Sequence, residues 1–461
     1  MNTDVTPWAP FEPTPDDPWD LRKVAHLHRR AGFGATWQEL QRDLSAGPAA
    51  AIERLLRPPA EDASFRQVSA ALKRTAESAR MYSTNPSEIA GWWLYRMVYA
   101  PDPLGERLTL IWHNYFATGL HGVYRLKLMT TQNELFRAQA RGSFADLLRG
   151  VESDPAMLIW LNGSDNQKDH PNENFARELL ELFTLGVGRY NEQDVREAAR
   201  ALAGWRRGRD DILNETDEFT YDDSRADSGP KTFLGRTGPW GRADLLRIIL
   251  EQPATAERLC RRLYREFVAE DPQPGEELIR PLAAELRASN YSIEHVVGVI
   301  LRSRHFFSPD VYRRRVKSPV EFCVGVIRQL APARSANLLS VAAIGCEQQG
   351  QALFDPPSVN GWHGGVAWLN SASILARMHW GVDLLRGSAS RGIPSYDARR
   401  WGRDNAIPDD KLQDAYCSLL LDDDLSPGTR DLVARLGRDP AGPSFAAALQ
   451  VLLQSPEYQL A

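Results

Sequence analysis

Residues 169–186 read DHPNENFARELLELFTLG. Pro171 and Asn172 suit a helix start, because proline has no N–H to donate and its fixed φ fits the first turn. Glu173 stands in that turn, where the helix dipole favours an anion. Phe175, Leu179, Leu182 and Phe183 recur at spacings of three and four and make an apolar stripe that draws the helix into a core. After the glycine break GVGRYN a second strong helix continues towards Trp205.

The same periodicity runs outward in both directions. Asp20 caps LRKVAHLHRRAGFG, and Thr36 with Glu39 forms a capping box for the next helix. Helical patterns cover 47–57, 63–82 and 86–100, then GERLTLIWHNYFATG, then 125–140, with two short helices in SFADLLRGVESDPAMLIWLNG. They resume at 241–268, 275–288, 292–304 and 318–330, and again at 371–387, 409–421, 426–437 and 442–455. VILRSRHF (299–306) echoes VLLQSPEY (451–458), but two copies do not make a solenoid. The fold class expected is all-α, with one exception. Residues 206–240 are polar and rich in Gly and Asp, and read as a small loop or β-hairpin insert. The expected organisation is an irregular lead-in over 1–20, a helical region over 21–205 holding the candidate site, the insert, and a second helical region over 241–461. That last region includes the Gly-, Pro- and Trp-rich loop FDPPSVNGWHGGVAWLN at 354–370, either a binding lip or a rigid crossover.

Composition narrows the function classes. The 461 residues have room for roughly two to four domains, and 43% hydrophobic residues supply a core without disulfide or metal staples. With 55 basic and 60 acidic residues the formal charge is −5, which offers no global attraction to nucleic acid or an anionic membrane. The run Arg313, Arg314 and Arg315 reads as a solvated face. Cys260 and Cys323 sit in amphipathic segments and read as buried thiols. No run of about eighteen apolar residues exists, so no membrane span is expected. MNTDVTPWAPFEPTPDDPWD does not read as a signal peptide, and cytoplasmic location is the default expectation. HExxH, CxxC, GxSxG, a P-loop and GxGxxG are all missing, so serine nucleophile chemistry and nucleotide binding have no positive signal.

Candidate chemistry falls on two helices. Asn174, Glu178 and Glu181 share one face of the 169–186 helix. Carboxylates among so many apolar neighbours are costly unless paired, ligated or at a cavity. A ladder of Glu173, Arg177 and Glu181 is the structural reading, and it leaves Glu178 without a cation at either helical spacing. In the second helix, Glu106 and His113 stand two turns apart on one face, as a metal or acid–base element or as a core hydrogen-bonding pair.

Seven stretches together resemble the bacterial family catalogued as domain of unknown function 1800: LHRRAGFG, ERLTLIWHNYF, HPNENFARELLELFTLG, DVREAARALAGW, GPKTFLG, KSPVEF and LFDPPSVNGWHGG. They run in the family's order from about residue 21 to the C-terminus. Members are often secreted and encoded beside a second family, domain of unknown function 1501, which resembles sulfatases and alkaline phosphatases. The resemblance therefore implies a partner protein of that family. Two departures stand out. Tyr115 occupies a position where members usually have histidine, and Ala226-Asp227 stands where they carry His-Asp.

Two functions are expected from these readings. The leading one is a metal-dependent enzyme, with oxidative chemistry slightly favoured over hydrolysis. His170, Glu173, Glu178, His113 and Glu106 would bind iron, manganese or zinc, and Glu178, Glu181 and Asp227 would act on a small-molecule or peptide substrate oriented by Arg177. The rival is a non-catalytic binding or assembly protein acting with a partner enzyme. Whether Glu178, His170 and His113 meet in one cleft discriminates between them.

Overall fold

The computed structural model describes residues 6–78, 85–210, 214–270, 273–330, 336–437 and 443–461. Among them are 23 α-helices and two small two-stranded antiparallel sheets, a mainly α architecture with a β-hairpin insert. The end of the helix expected over 63–82 lies outside the described residues, as do parts of the lead-in, the insert and the 442–455 helix.

The insert begins at the end of the Glu192–Leu202 helix. Strand Trp205–Asp210 pairs with Asn214–Tyr221, Trp205 opposite Tyr221, with a bulge between Arg207 and Arg209. Strand Lys231–Phe233 pairs with Arg236–Gly238 through the two-residue turn Leu234-Gly235. Both turn residues have positive φ, 47° and 76°, the geometry that matches the twist of a tight hairpin.

Local chemistry accounts for most helix ends. Thr36 and Glu39 form the expected capping box. The 241–268 pattern is two helices, Arg242–Glu251 and Pro253–Phe267, because Pro253 has no N–H to continue the first and is placed to start the second. Helix Ala336–Gln348 has no counterpart among the expected helices. The Arg313–Arg315 run is not a solvated helix face. Arg315 is buried, and the chain there is irregular because Arg313 adopts a φ of 55°.

Helices cover two large hydrophobic clusters, and a small third one joins Val316, Trp362 and Trp368. Of the large ones, one gathers side chains from Trp8 to Val311, the other from Val24 to Tyr458. The Pro103–Tyr115 helix supplies both, with Leu108 and Trp112 in the first and Leu110 in the second. All of its residues except Asn114 are buried, and the Pro319–Leu330 helix is buried throughout. No described helix is long and apolar enough to cross a membrane.

Helices buried all round must neutralise the charges they carry. Glu106 accepts from Arg96 Nε (2.8 Å), Arg137 Nε (2.7 Å) and Trp93 Nε1 (3.0 Å). Arg107 Nη1 stands 3.0 Å from Glu321, and Arg315 Nη1 donates to the same carboxylate at 2.9 Å. Ser318 N–H adds a 2.8 Å bond that caps the Pro319–Leu330 helix. Burial raises the Glu321 pKa, but the two guanidiniums outweigh it and hold the carboxyl well below the usual range. Glu321→Gln therefore removes the nearest counter-charge of two buried cations, leaving Glu266 and Glu270 at 3.3–4.0 Å. It is expected to lower unfolding free energy by about 3–5 kcal/mol, measured by urea denaturation. Glu192→Gln, at an exposed ion pair, should leave the midpoint unmoved. Equal effects from the two variants would contradict the buried network.

Candidate functional site

The expected metal ligands are placed apart. Glu106 and His113 both face Trp93, as their spacing requires, but the indole bonds to Glu106 and packs edge-on to His113 with centroids 5.3 Å apart. His113 Nε2 accepts the Phe354 N–H at 3.1 Å, and burial pushes its pKa down to about 3, so the ring is a neutral acceptor. His170 is exposed in the turn before the Asn174–Glu178 helix. Among the described residues, no three His, Cys, Asp or Glu side chains gather as a metal ion would need.

The 169–186 stretch does not continue as an α-helix. After Asn174–Glu178 it widens into a π-helix over Leu179–Thr184. That wider turn breaks the four-residue spacing beyond Arg177. Arg177 bonds Glu173 (3.1 Å) and Glu192 (2.8 Å), completing half of the expected ladder. Glu181 instead accepts from Tyr190 Oη at 2.9 Å. Glu178 is half-buried with no ion-pair partner among the described residues, and burial, then the Glu181 charge, raise its pKa. Asp227 is held by Arg200 Nε (2.7 Å) and the Gly229 N–H (2.8 Å). Those bonds outweigh burial and keep its carboxyl below the usual range. It braces the insert against the Glu192–Leu202 helix.

The π-helix carbonyls lead to a different site. Leu182 O accepts from Arg258 Nε and Phe183 O from Tyr115 Oη, each at 2.9 Å. Tyr115 and Arg258 line a hollow of about 290 Å³ that also takes Arg261, Arg262 and Arg265. Arg258, Arg261, Arg262 and Arg265 are spaced three, one and three along the Pro253–Phe267 helix, which places them on one face. A smaller recess of about 50 Å³ adjoins this hollow and shares Asn114, Arg262 and Arg265 with it. It is lined further by Arg107, Arg315, Glu266, Glu270, Glu321 and the tryptophans of the 354–370 loop. Six arginines and three glutamates thus line the two hollows, in a chain whose overall charge is negative, and among the described residues Arg261 alone of the six is paired with glutamates outside them, Glu257 and Glu276.

The loop is pinned over this cleft. Asn114 Oδ1 accepts the Trp362 N–H at 2.7 Å, His113 accepts Phe354 N–H, and Arg265 Nη2 donates to His363 O at 2.6 Å. Gly361 has a φ of 73°, and a Cβ there would meet Asn114 Oδ1 at 2.2 Å and its backbone oxygen at 2.4 Å. The loop is a pinned crossover whose Trp362, His363 and Trp368 line the recess.

The sequence gives no sign that Arg107, Arg262, Arg265 and Arg315 gather in one cleft, and it marks Glu321 only as the capping-box acid after Ser318, which it is. The stripe on PATAERLCRRLYREF was visible in its spacing. The partners from 107, 315 and 321 required the tertiary fold. Asn114→Ala should cost about 1–3 kcal/mol by stranding the Trp362 N–H, and should open 354–370 to limited proteolysis. A variant as resistant as the parent would show that this bond does not hold the loop.

A family described as "Protein of unknown function (DUF1800)" matches residues 26–460. No curated protein and no solved structure matches the chain.

Proposed function

The chain belongs to the DUF1800 family, and from that premise we propose that it is a binding protein whose ligand is an organic anion held in the arginine-lined cleft. The single observation that carries this reading is the excess of arginine over glutamate around two adjoining hollows, five to three once Arg261, paired with Glu257 and Glu276, is set aside. Guanidinium groups bind carboxylate and oxyanion groups in paired, planar geometry. A concave site with low-dielectric walls also concentrates ions of the opposite sign. Trp362 and Trp368 supply the flat apolar surface typical of a ligand pocket.

The placement of the carboxylates and imidazoles speaks for binding over a metal-dependent enzyme. Glu106, Glu173, Arg177 and Asp227 each have ionic partners of their own, and His113 serves a backbone N–H. What favours acid–base chemistry is Glu178, half-buried beside Glu181 with a raised pKa.

Calorimetric titration of EDTA-treated protein with small organic anions tests the proposal. Saturable binding is expected, weakened about tenfold or more by Arg262→Gln or Arg265→Gln and falling as salt rises. No binding by any anion would overturn it. Binding that appears only after iron, manganese or zinc is restored, and is lost in Glu178→Gln, would return the metal-dependent enzyme to first place.

A further inference from the structure

The charge balance of the recess identifies the group it takes. This step rests on the anion-binding reading. Arg107, Arg262, Arg265 and Arg315 line the recess against Glu266, Glu270 and Glu321. Behind them stands Arg30, with 0% of its surface exposed. Arg30 donates to Val311 O at 2.9 Å, but its Nε and Nη1 have no hydrogen-bond partner, and no carboxylate among the described residues pairs with it. Four arginines of the lining and Arg30 behind it therefore meet three anions, an excess of two positive charges that is buried except at the mouth, where Arg265 and His363 are exposed.

Two of these arginines, Arg30 and Arg107, are held below the usual guanidinium value, while Glu321, Glu266 and Glu270 overcome burial and hold Arg315 above it. Burial, and then the neighbouring Arg315, hold Arg30 well below the usual guanidinium value. Arg107 is lowered too, by burial against the pull of Glu321, with Arg315 adding repulsion. Several donors of the recess guanidiniums also lack acceptors, namely Arg107 Nε, Arg315 Nε and Arg262 Nε, whereas Arg262 Nη2 stands 3.0 Å from Glu266. Buried donors left unpaired are unusual and costly. An oxyanion in the recess answers both deficits, charge and acceptors.

Size and charge then choose among oxyanions. A recess of about 50 Å³ holds roughly four water-sized positions at about 10–15 Å³ each. That suits a tetrahedral oxyanion and is too small for a ring. The adjoining hollow of about 290 Å³, with Leu182, Pro274 and Val359 in its wall, has room for the body of a small organic molecule. A carboxylate or a sulfate monoester carries a single negative charge, whereas a phosphate monoester carries about −1.5 to −2 near neutral pH. We infer that the ligand is a phosphate monoester of a small organic molecule, with its phosphate in the recess and its body in the adjoining hollow.

Phenyl phosphate and phenyl sulfate have the same shape and differ by one charge, so they separate this inference from the broader one. The full chain is titrated calorimetrically with each at low ionic strength, above the second phosphate pKa of about 6. Phenyl phosphate is expected to bind about tenfold or more tightly than phenyl sulfate. Arg262→Gln and Arg265→Gln should each weaken the phosphate and narrow the gap. Arg265→Gln is the safer variant for folding, since its bonded partner is a loop carbonyl. Equal binding of the two esters would overturn the phosphate assignment and leave the anion cleft standing. No binding of either, or of any organic anion, would overturn both. A preference for phosphate untouched by both substitutions would place the ligand elsewhere and overturn the assignment.

Discussion

The ion pairs of Glu321 with Arg107 and Arg315 join two helices that have almost no solvent-facing surface. Pro103–Tyr115 and Pro319–Leu330 could have been apolar throughout, and a hydrophobic replacement of a buried pair is often no less stable. What the charges add is register. A carboxylate held by two guanidiniums and the Ser318 N–H has one position along the helix. Arg107 also reaches Glu266 on the Pro253–Phe267 helix at 3.3 Å. The network thus fixes the helix that carries the arginine stripe relative to the helix that anchors the loop, and the cleft lies where they meet.

Three consecutive residues of the Pro103–Tyr115 helix extend that control. His113 takes the Phe354 N–H, Asn114 takes the Trp362 N–H, and Tyr115 caps the Phe183 carbonyl of the π-helix. Successive side chains on a helix point about 100° apart, so one turn reaches the loop and the π-helix together. Leu182 and Phe183 lie in the last turn of the π-helix, where carbonyls have no partner within the helix, and Arg258 and Tyr115 satisfy them. Three of the most specific sequence stretches are therefore three walls of one structure.

Much of this was legible in the sequence. Helical periodicity located most helices, and composition singled out the 206–240 insert, because both signals are local. The glycines, prolines and tryptophans of 354–370 mark it as either a binding lip or a rigid crossover and do not choose between them. The Pro253 break was readable from proline's missing donor, yet the apolar period runs across it. The Ala336–Gln348 helix has few polar residues to mark a face, being packed against the Ser87–Tyr99 and Ser371–Arg386 helices. The π-helix was not legible, since its letters fit an α-helix equally well, and it redirected Glu181 from Arg177 to Tyr190. The charged candidates were judged by spacing within one helix, whereas Glu106, Arg107 and Arg315 find their partners on other elements. Residues far apart in the chain decide whether a buried charge is a ligand or a strut.

The central claim is that the recess between Arg107, Arg262 and Arg315 is an anion site. Crystals soaked in tungstate, a tetrahedral dianion heavy enough to locate by anomalous scattering, test it most directly. The account predicts an anomalous peak in the recess, in contact with Arg262, that phosphate displaces. Tungstate bound only elsewhere, with the recess holding nothing but water, would contradict it.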